Sequence, residues 1–315
     1  MIKMLTTMRW PWIWSFIATI VVWLATVAVS GVPGAVGLTQ AALTFAVFSV
    51  IVGIGQMFVI TLGPGNIDLS IPASITLAGT LALKFMNGDD GLVLLGLAIA
   101  VGVGIAVGLI NYGLIKLLRI PPIIATLAMS FLIQSTAIWS NRGLRIRPPA
   151  SLGDFAVGQT FGVPNLAIIG LGLAIAAHVL LTKTVYGRWV LAIGQNAKAA
   201  RMAGVPVDGV SMATYVLCAA LAGLCGYFLA SFSGGAALNM GAEYLLMSIA
   251  VVVIGGSSVA GGDSNVPGIW GASLFMFLVV SMLNTYGFDA GFRLILTGLI
   301  IIGIIFAAGG RATRV

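Results

Sequence analysis

Apolar residues run through this chain in long blocks, separated by short polar or glycine-rich gaps. About 20 apolar residues suffice to cross a bilayer as a helix. Ten such blocks can be marked, at approximately 12–30, 41–62, 67–86, 91–115, 122–140, 164–182, 209–232, 243–259, 266–286 and 291–309. They predict an all-α polytopic membrane protein, a single transmembrane domain over 1–315. Two longer connections interrupt it, at 141–163 and 187–206. The block at 243–259 is short enough to be re-entrant rather than spanning.

Two gaps look alike. Asp68-Leu-Ser70-Ile-Pro72 and Asp263-Ser-Asn265-Val-Pro267 both read D-x-[S/N]-x-P, 195 residues apart, and the offset carries Gly96 onto Gly291 and Arg119 onto Arg314. It also lays spans one to four over spans seven to ten in the same orientation. A parallel internal repeat is the preferred reading, since transporter folds often duplicate. The first gap, Gly63-Pro64-Gly65 followed by Asn66, Asp68 and Ser70, ends one helix and offers three caps for the next, with Pro72 in its first turn. Gly255-Gly256-Ser257-Ser258 through Asp263, Ser264 and Asn265 breaks the chain similarly. Irregular backbone at membrane depth survives where protein buries it or water lines it, and a carboxylate there often marks a pathway. Asn66, Asp68, Ser70, Asp263, Ser264 and Asn265 are therefore candidate pathway residues. The alternative is that they cap ordinary interfacial turns.

Charge supplies orientation. Only 7% of residues are charged, against about 25% in an ordinary soluble domain. That excludes a soluble enzyme and a nucleic-acid partner. With the N-terminus inside, ten of the fifteen Lys and Arg fall on cytoplasmic segments, and Asp89, Asp90, Asp154, Glu243 and Asp289 stay outside. Both termini are then cytoplasmic. Arg142, Arg145 and Arg147 break the rule, all in the external connection. They would meet carboxylates on an extracytoplasmic partner or, alternatively, lipid headgroup phosphates.

The connection at 187–206 contains a regular piece. Asn196 reads as an N-cap, 197–203 as about two helical turns, and Gly204 and Pro206 as the stop. Alanines at 197, 199, 200 and 203 give it small faces for a partner.

Four motifs in order carry a resemblance over roughly 41–308. They are Asn66-Ile67-Asp68-Leu69-Ser70; Leu118-Arg119-Ile120-Pro121-Pro122-Ile123-Ile124-Ala125-Thr126-Leu127; Gly187-Arg188…Gly194-Gln195-Asn196…Ala199-Ala200-Arg201…Gly204; and Val253-Ile254-Gly255-Gly256-Ser257-Ser258. Together they resemble the permease subunit of bacterial ribose-type ABC importers, a family that includes branched-chain amino acid permeases. The latter usually carry an N-F-A-H-G type segment where this chain has Ile67-Asp68-Leu69-Ser70, which favours a monosaccharide or polyol. Other substrates within the resemblance are a branched-chain amino acid or a sugar-like signal molecule.

The resemblance implies a bacterial inner-membrane permease that pairs with a second copy or a paralogue. A cytoplasmic ATPase would bind ATP and Mg, and a periplasmic or lipid-anchored binding protein would deliver substrate; on the charge reading above, Arg142, Arg145 and Arg147 would contact that binding protein. Arg188, Gly194, Asn196, Ala199, Ala200, Arg201 and Gly204 would couple to the ATPase. No Walker A motif occurs, so the chain is not itself an ATPase, and no cofactor or metal is expected on it. The competing class is an ion-coupled secondary transporter, which would want paired carboxylates or a His–carboxylate relay inside the spans. His178 has no evident sequence partner for such a relay, Gly104-x-x-x-Gly108 reads as a helix-packing face, and Cys218 and Cys225 as apolar filler.

Overall fold

A computed structural model describes residues 12–141 and 146–309. It is a helical bundle: α1 (Ile13–Ser30), α2 (Val32–Thr61), α3 (Ile71–Met86), α4 (Val93–Leu117), α5 (Pro122–Ser140), α6 (Ala150–Val157), α7 (Asn165–Lys183), α8 (Val185–Met202), α9 (Val207–Phe232), α10 (Tyr244–Ile254), α11 (Pro267–Thr285) and α12 (Ala290–Gly309). The strands, β1 (Gln159–Thr160) and β2 (Val163–Pro164), form a small antiparallel hairpin. Among the described residues, seven helices are long and apolar enough to cross a membrane. α3 and α10 are shorter. At 1.5 Å per residue, the 11 residues of α10 reach about 16 Å, half of the roughly 30 Å hydrocarbon layer.

The centre of the bundle is α2 against α9, and both are largely buried. They run antiparallel: Cys225 Sγ lies 3.7 Å from Phe48 O, while Cys218, earlier on α9, faces Gln56, later on α2. α4 crosses α9 so closely that a Cβ at Gly104 or Gly108 would strike the backbone of Ala219 or of Tyr215 and Val216. Small residues at four-residue spacing permit that approach, which drives association where water supplies no hydrophobic force. α1 lies along α11, with Thr19 Oγ1 donating to Gly271 O at 2.8 Å.

The parallel register expected from the 195-residue offset does not organise these contacts. α3 packs on α9 as α10 packs on α2, and α4 packs on α9 as α11 packs on α2. That pairs α2–α5 with α9–α12, and because α2 and α9 are antiparallel the two sets are inverted. The recurring D-x-[S/N]-x-P reflects local need instead: both copies precede a helix that starts at or just before a proline. The connection at 141–163 also differs from a plain loop, since its described part folds into α6 and the hairpin. For orientation, the two ends of the bundle are named the α8 face and the hairpin face.

Candidate functional site: two helix breaks and the segment that rests on them

α2 ends at Thr61 and α3 begins only at Ile71. Between them the backbone groups find side chains instead of a helical ladder. Gln56 Oε1 accepts from Asp68 N–H at 3.2 Å, and Thr126 Oγ1 accepts from Leu69 N–H at 3.0 Å. Asp68 Oδ1 accepts from both the amide and the hydroxyl of Ser70, at 2.8 and 2.6 Å, and Asn111 Nδ2 donates to Ser70 Oγ at 2.8 Å. Asp68, Ser70, Gln56 and Asn111 are all buried, Asp68 at 1% exposure. This network bolts the break to α2, α4 and α5. Asn66 points the other way. Its Oδ1 accepts from Tyr215 O–H at 3.0 Å, on the wall of a cavity of about 510 Å³ shared with Tyr112, Lys116, Arg119 and Asp208 at the α8 face.

The second break, between α10 and α11, is built differently. Asp263 is exposed. Asn265 does the capping: its Oδ1 accepts from Gly268 N–H at 2.9 Å, and its Nδ2 donates to Gly255 O at 3.1 Å. Ser264 Oγ hydrogen-bonds Thr61 Oγ1, at the end of α2. Gly262 N–H donates to Thr61 O at 3.0 Å. The two breaks therefore touch, and residues from the far halves of the sequence are knit together at Thr61.

α8 rests on that junction. A Cβ at Gly194 would strike both Thr61 O and Gly262 N, the two ends of the hydrogen bond that joins the breaks, and Gln195 Nε2 donates to Gly262 O at 3.3 Å. Immediately afterwards Asn196 leaves helical geometry (φ −162°, ψ 101°), and its Oδ1 accepts from the amides of Lys198 and Ala199 at 3.1 and 3.0 Å. A side-chain cap of this kind starts a new helical piece, so α8 is two segments meeting at Asn196. Gly204, at φ 85°, follows the second. Ala200 is buried against its own chain. The outward face of the second segment is Ala197, Lys198, Ala199, Arg201 and Met202, the last 91% exposed. Arg201 reaches Asp208 at 3.3 Å, and Lys116 reaches the same carboxylate at 2.8 Å. Arg188 is exposed on the first segment.

Of the three arginines of the connection at 141–163, Arg142 and Arg145 lie outside the described residues. Arg147 is exposed, beside a cavity of about 240 Å³ lined also by Thr80, Asn141 and Gly235. His178 sits exposed on α7. Sequence reasoning passed over Thr61, Gln56 and Asn111. Only the last two leave a signal, as amides inside apolar spans.

The profile of the family described as "Branched-chain amino acid transport system / permease component" matches residues 38–305. The ribose import permease protein RbsC of Escherichia coli K12 is 29% identical over 80% of this chain and 79% of its own length. RbsC of Bacillus subtilis is 33% identical over 80% and 78%. The L-arabinose ABC transporter permease protein AraH of Azospirillum brasilense is 32% identical over 84% and 77%. Among solved structures, PsaBC from Streptococcus pneumoniae in complex with Fab superposes with a TM-score of 0.52 over 86% of this chain and 90% of that one, at 16% identity, a likeness of fold.

Proposed function

The chain belongs to the branched-chain amino acid transport system / permease component family, and we propose that it is the membrane permease subunit of an ABC importer for a monosaccharide. Similarity to ribose, arabinose and fructose permeases over most of their length carries the substrate class. ATP and Mg belong, on this reading, to a separate ATPase that docks on the α8 face, and a substrate-binding protein docks on the hairpin face. The charges favour that orientation: Lys116, Arg119, Lys183, Arg188, Lys198 and Arg201 gather around α8, as cytoplasmic segments do.

The observation that supports a coupling role for α8 is Gly194, packed against the hydrogen bond that joins the two breaks. Asn196 caps the second segment, and Gln195 just before it is bonded to Gly262, so a load applied to the second segment is delivered beside Gly194. There it meets Thr61 O and Gly262 N together, and any shift of α8 must move both breaks or neither. Breaks are where a bundle can bend, because the intrahelical ladder is already interrupted. Alternating access then follows from one push delivered where the rigid first break meets the more lightly held second one, which gives. Met202 and Lys198 supply the partner contact, while Ala200 holds the segment to its own chain.

Uptake tests the reading. Cells that express the chain with its ATPase and binding protein should accumulate labelled ribose, arabinose or fructose, and Met202→Asp should abolish uptake and co-purification of the ATPase while leaving membrane levels unchanged. Full uptake by Met202→Asp would remove the docking assignment, and uptake without any ATPase would remove the importer reading itself.

A further inference from the structure

The hairpin ahead of α7 pairs Thr160 with Val163, which leaves Phe161-Gly162 as a two-residue turn. Both turn residues are left-handed, with φ of 53° and 78°. Turns of this kind favour Asn or Asp before the Gly, because a bulky side chain at positive φ crowds its own backbone. Phenylalanine is thus disfavoured at position 161 by its conformation. It is disfavoured by water as well, for its side chain is fully exposed, at 101%. Phe155, Val157 and Val163 beside it are exposed too.

This apolar tip is continuous with a longer surface. Ile168, Leu171, Ile175 and Val179 are exposed on one face of α7, spaced three and four apart down a membrane-length helix. An exposed apolar stripe on such a helix is its lipid-facing side, and the hairpin stands at the head of that stripe. The other side of the element is fastened to the bundle. Leu152 and Ala156 of α6 are buried, Asp90 Oδ1 accepts from the amide and hydroxyl of Ser151 at 2.9 and 2.6 Å, and Asn165 Nδ2 donates to Phe155 O at 3.0 Å.

We propose that α6 and the hairpin, residues 150–164, form an interfacial membrane anchor that sets Phe161 into the boundary between headgroups and acyl chains of the leaflet at the hairpin face. Aromatic side chains concentrate at that depth at the ends of membrane spans. The occupant is phospholipid, because the patch continues the lipid-facing stripe of α7 without a gap. The anchor would hold the outer end of α7 at a defined depth, and α7 leads directly into α8. The inference stands on surface geometry and does not depend on the substrate or the ATPase.

Depth-dependent quenching tests it. Phe161→Cys and Val157→Cys are labelled with an environment-sensitive fluorophore in vesicles of phosphatidylethanolamine and phosphatidylglycerol; native Cys218 and Cys225 are buried and escape labelling. Leu171→Cys marks lipid and Lys198→Cys marks water. Phospholipid carrying a doxyl quencher should dim the labels at 157 and 161 several-fold more than at 198, approaching 171, and aqueous iodide should do the reverse. Iodide reaching 157 and 161 as freely as 198 would overturn the proposal. So would labels that leave water only when a soluble binding protein is added, which would make the tip a protein contact.

Discussion

Asp68 and Asp263 hold the same place in the same five-residue pattern, and the folded chain treats them oppositely. Asp68 is sealed at 1% exposure and serves as the acceptor that starts α3, with three neighbouring helices supplying further side chains to its surroundings. Asp263 faces outward, and its neighbour Asn265 starts α11 instead. The first break is a knot tied from several directions, with Gln56 Nε2, Asp68 Oδ2 and Asn111 Oδ1 buried and left without a hydrogen-bond partner among the described residues. The second is a lighter turn, held by one cap and by Thr61. The pairing teaches that a break is defined by what surrounds it, and that one rigid break joined to one pliant break makes a natural lever. Gly194 touches both.

The disturbance expected to harm uptake most is one added carbon where the breaks meet. In Gly194→Ala the new methyl would overlap Thr61 O and Gly262 N, both backbone, so neither can rotate aside. Overpacking of this kind typically costs about 1–3 kcal/mol. Because it separates α8 from both breaks, uptake should fall more than about tenfold, the factor that 1.4 kcal/mol represents, with membrane levels retained. Near-normal uptake by Gly194→Ala would show that α8 does not act through the junction.

Next comes the contrast between the carboxylates. Asp68→Ala leaves the amide and hydroxyl of Ser70 without their acceptor in a dry interior, where each unpaired group costs about 1–3 kcal/mol. Thermal unfolding of the purified protein should register a loss of about 2–4 kcal/mol. Asp263→Ala, on an exposed side chain, should stay within about 0.5 kcal/mol of the parent. Equal losses would mean that the two breaks are equivalent after all.

Much of this architecture is legible in the amino-acid sequence, and the gaps have physical causes. The apolar blocks locate α1, α4, α5, α7, α9 and α11 to within a few residues, because a span must be apolar whatever it packs against. α2 begins nearer than its block suggests, right after the turn at Gly31, since the polar residues Thr39 and Gln40 find partners in Trp23 and Gln159. The chemistry of both breaks shows in Gly-Pro-Gly and the Asp-Ser and Ser-Asn pairs. Their depth does not, because it depends on Gln56, Asn111 and Thr126 arriving from other helices. Nor does sequence reveal that the repeat is inverted: five residues that answer the same capping need look alike in either orientation. Gly194 is one glycine among 42, and only the fold gives it two neighbours.

A milder perturbation addresses the bond between the breaks. Thr61→Val keeps the shape of α2 but removes the hydroxyl that meets Ser264. One hydrogen bond of this kind is worth about 1 kcal/mol. Asn265→Ala, which removes the cap of α11, should cost about the same. If the breaks act as one unit, the pair of substitutions should be non-additive in thermal unfolding, since residues sharing a network couple and distant ones do not. Strict additivity would separate the second break from the first.

A small effect is expected at Asp208, and it decides what holds the second segment of α8 in place. Its carboxylate receives Lys116 at 2.8 Å and Arg201 at 3.3 Å, and Tyr112 O–H donates to it at 3.3 Å, so α4, α8 and α9 meet there. All three charged side chains are about half exposed. Pairs in that setting contribute about 0.2–1 kcal/mol each, because water already solvates both partners and ordering two long side chains costs entropy. Asp208→Asn should therefore lower stability by about 1 kcal/mol or less at low salt. The difference should vanish near 1 M salt, where the screening length shrinks to about 3 Å. Gly194→Ala, a steric overlap inside the fold, should be indifferent to salt. Comparing the two variants by thermal unfolding at both salt concentrations separates charge from packing. A large, salt-sensitive loss in Asp208→Asn that matched Gly194→Ala in uptake would mean that α8 hangs on its ion pairs, and the contact at the two breaks would then be incidental.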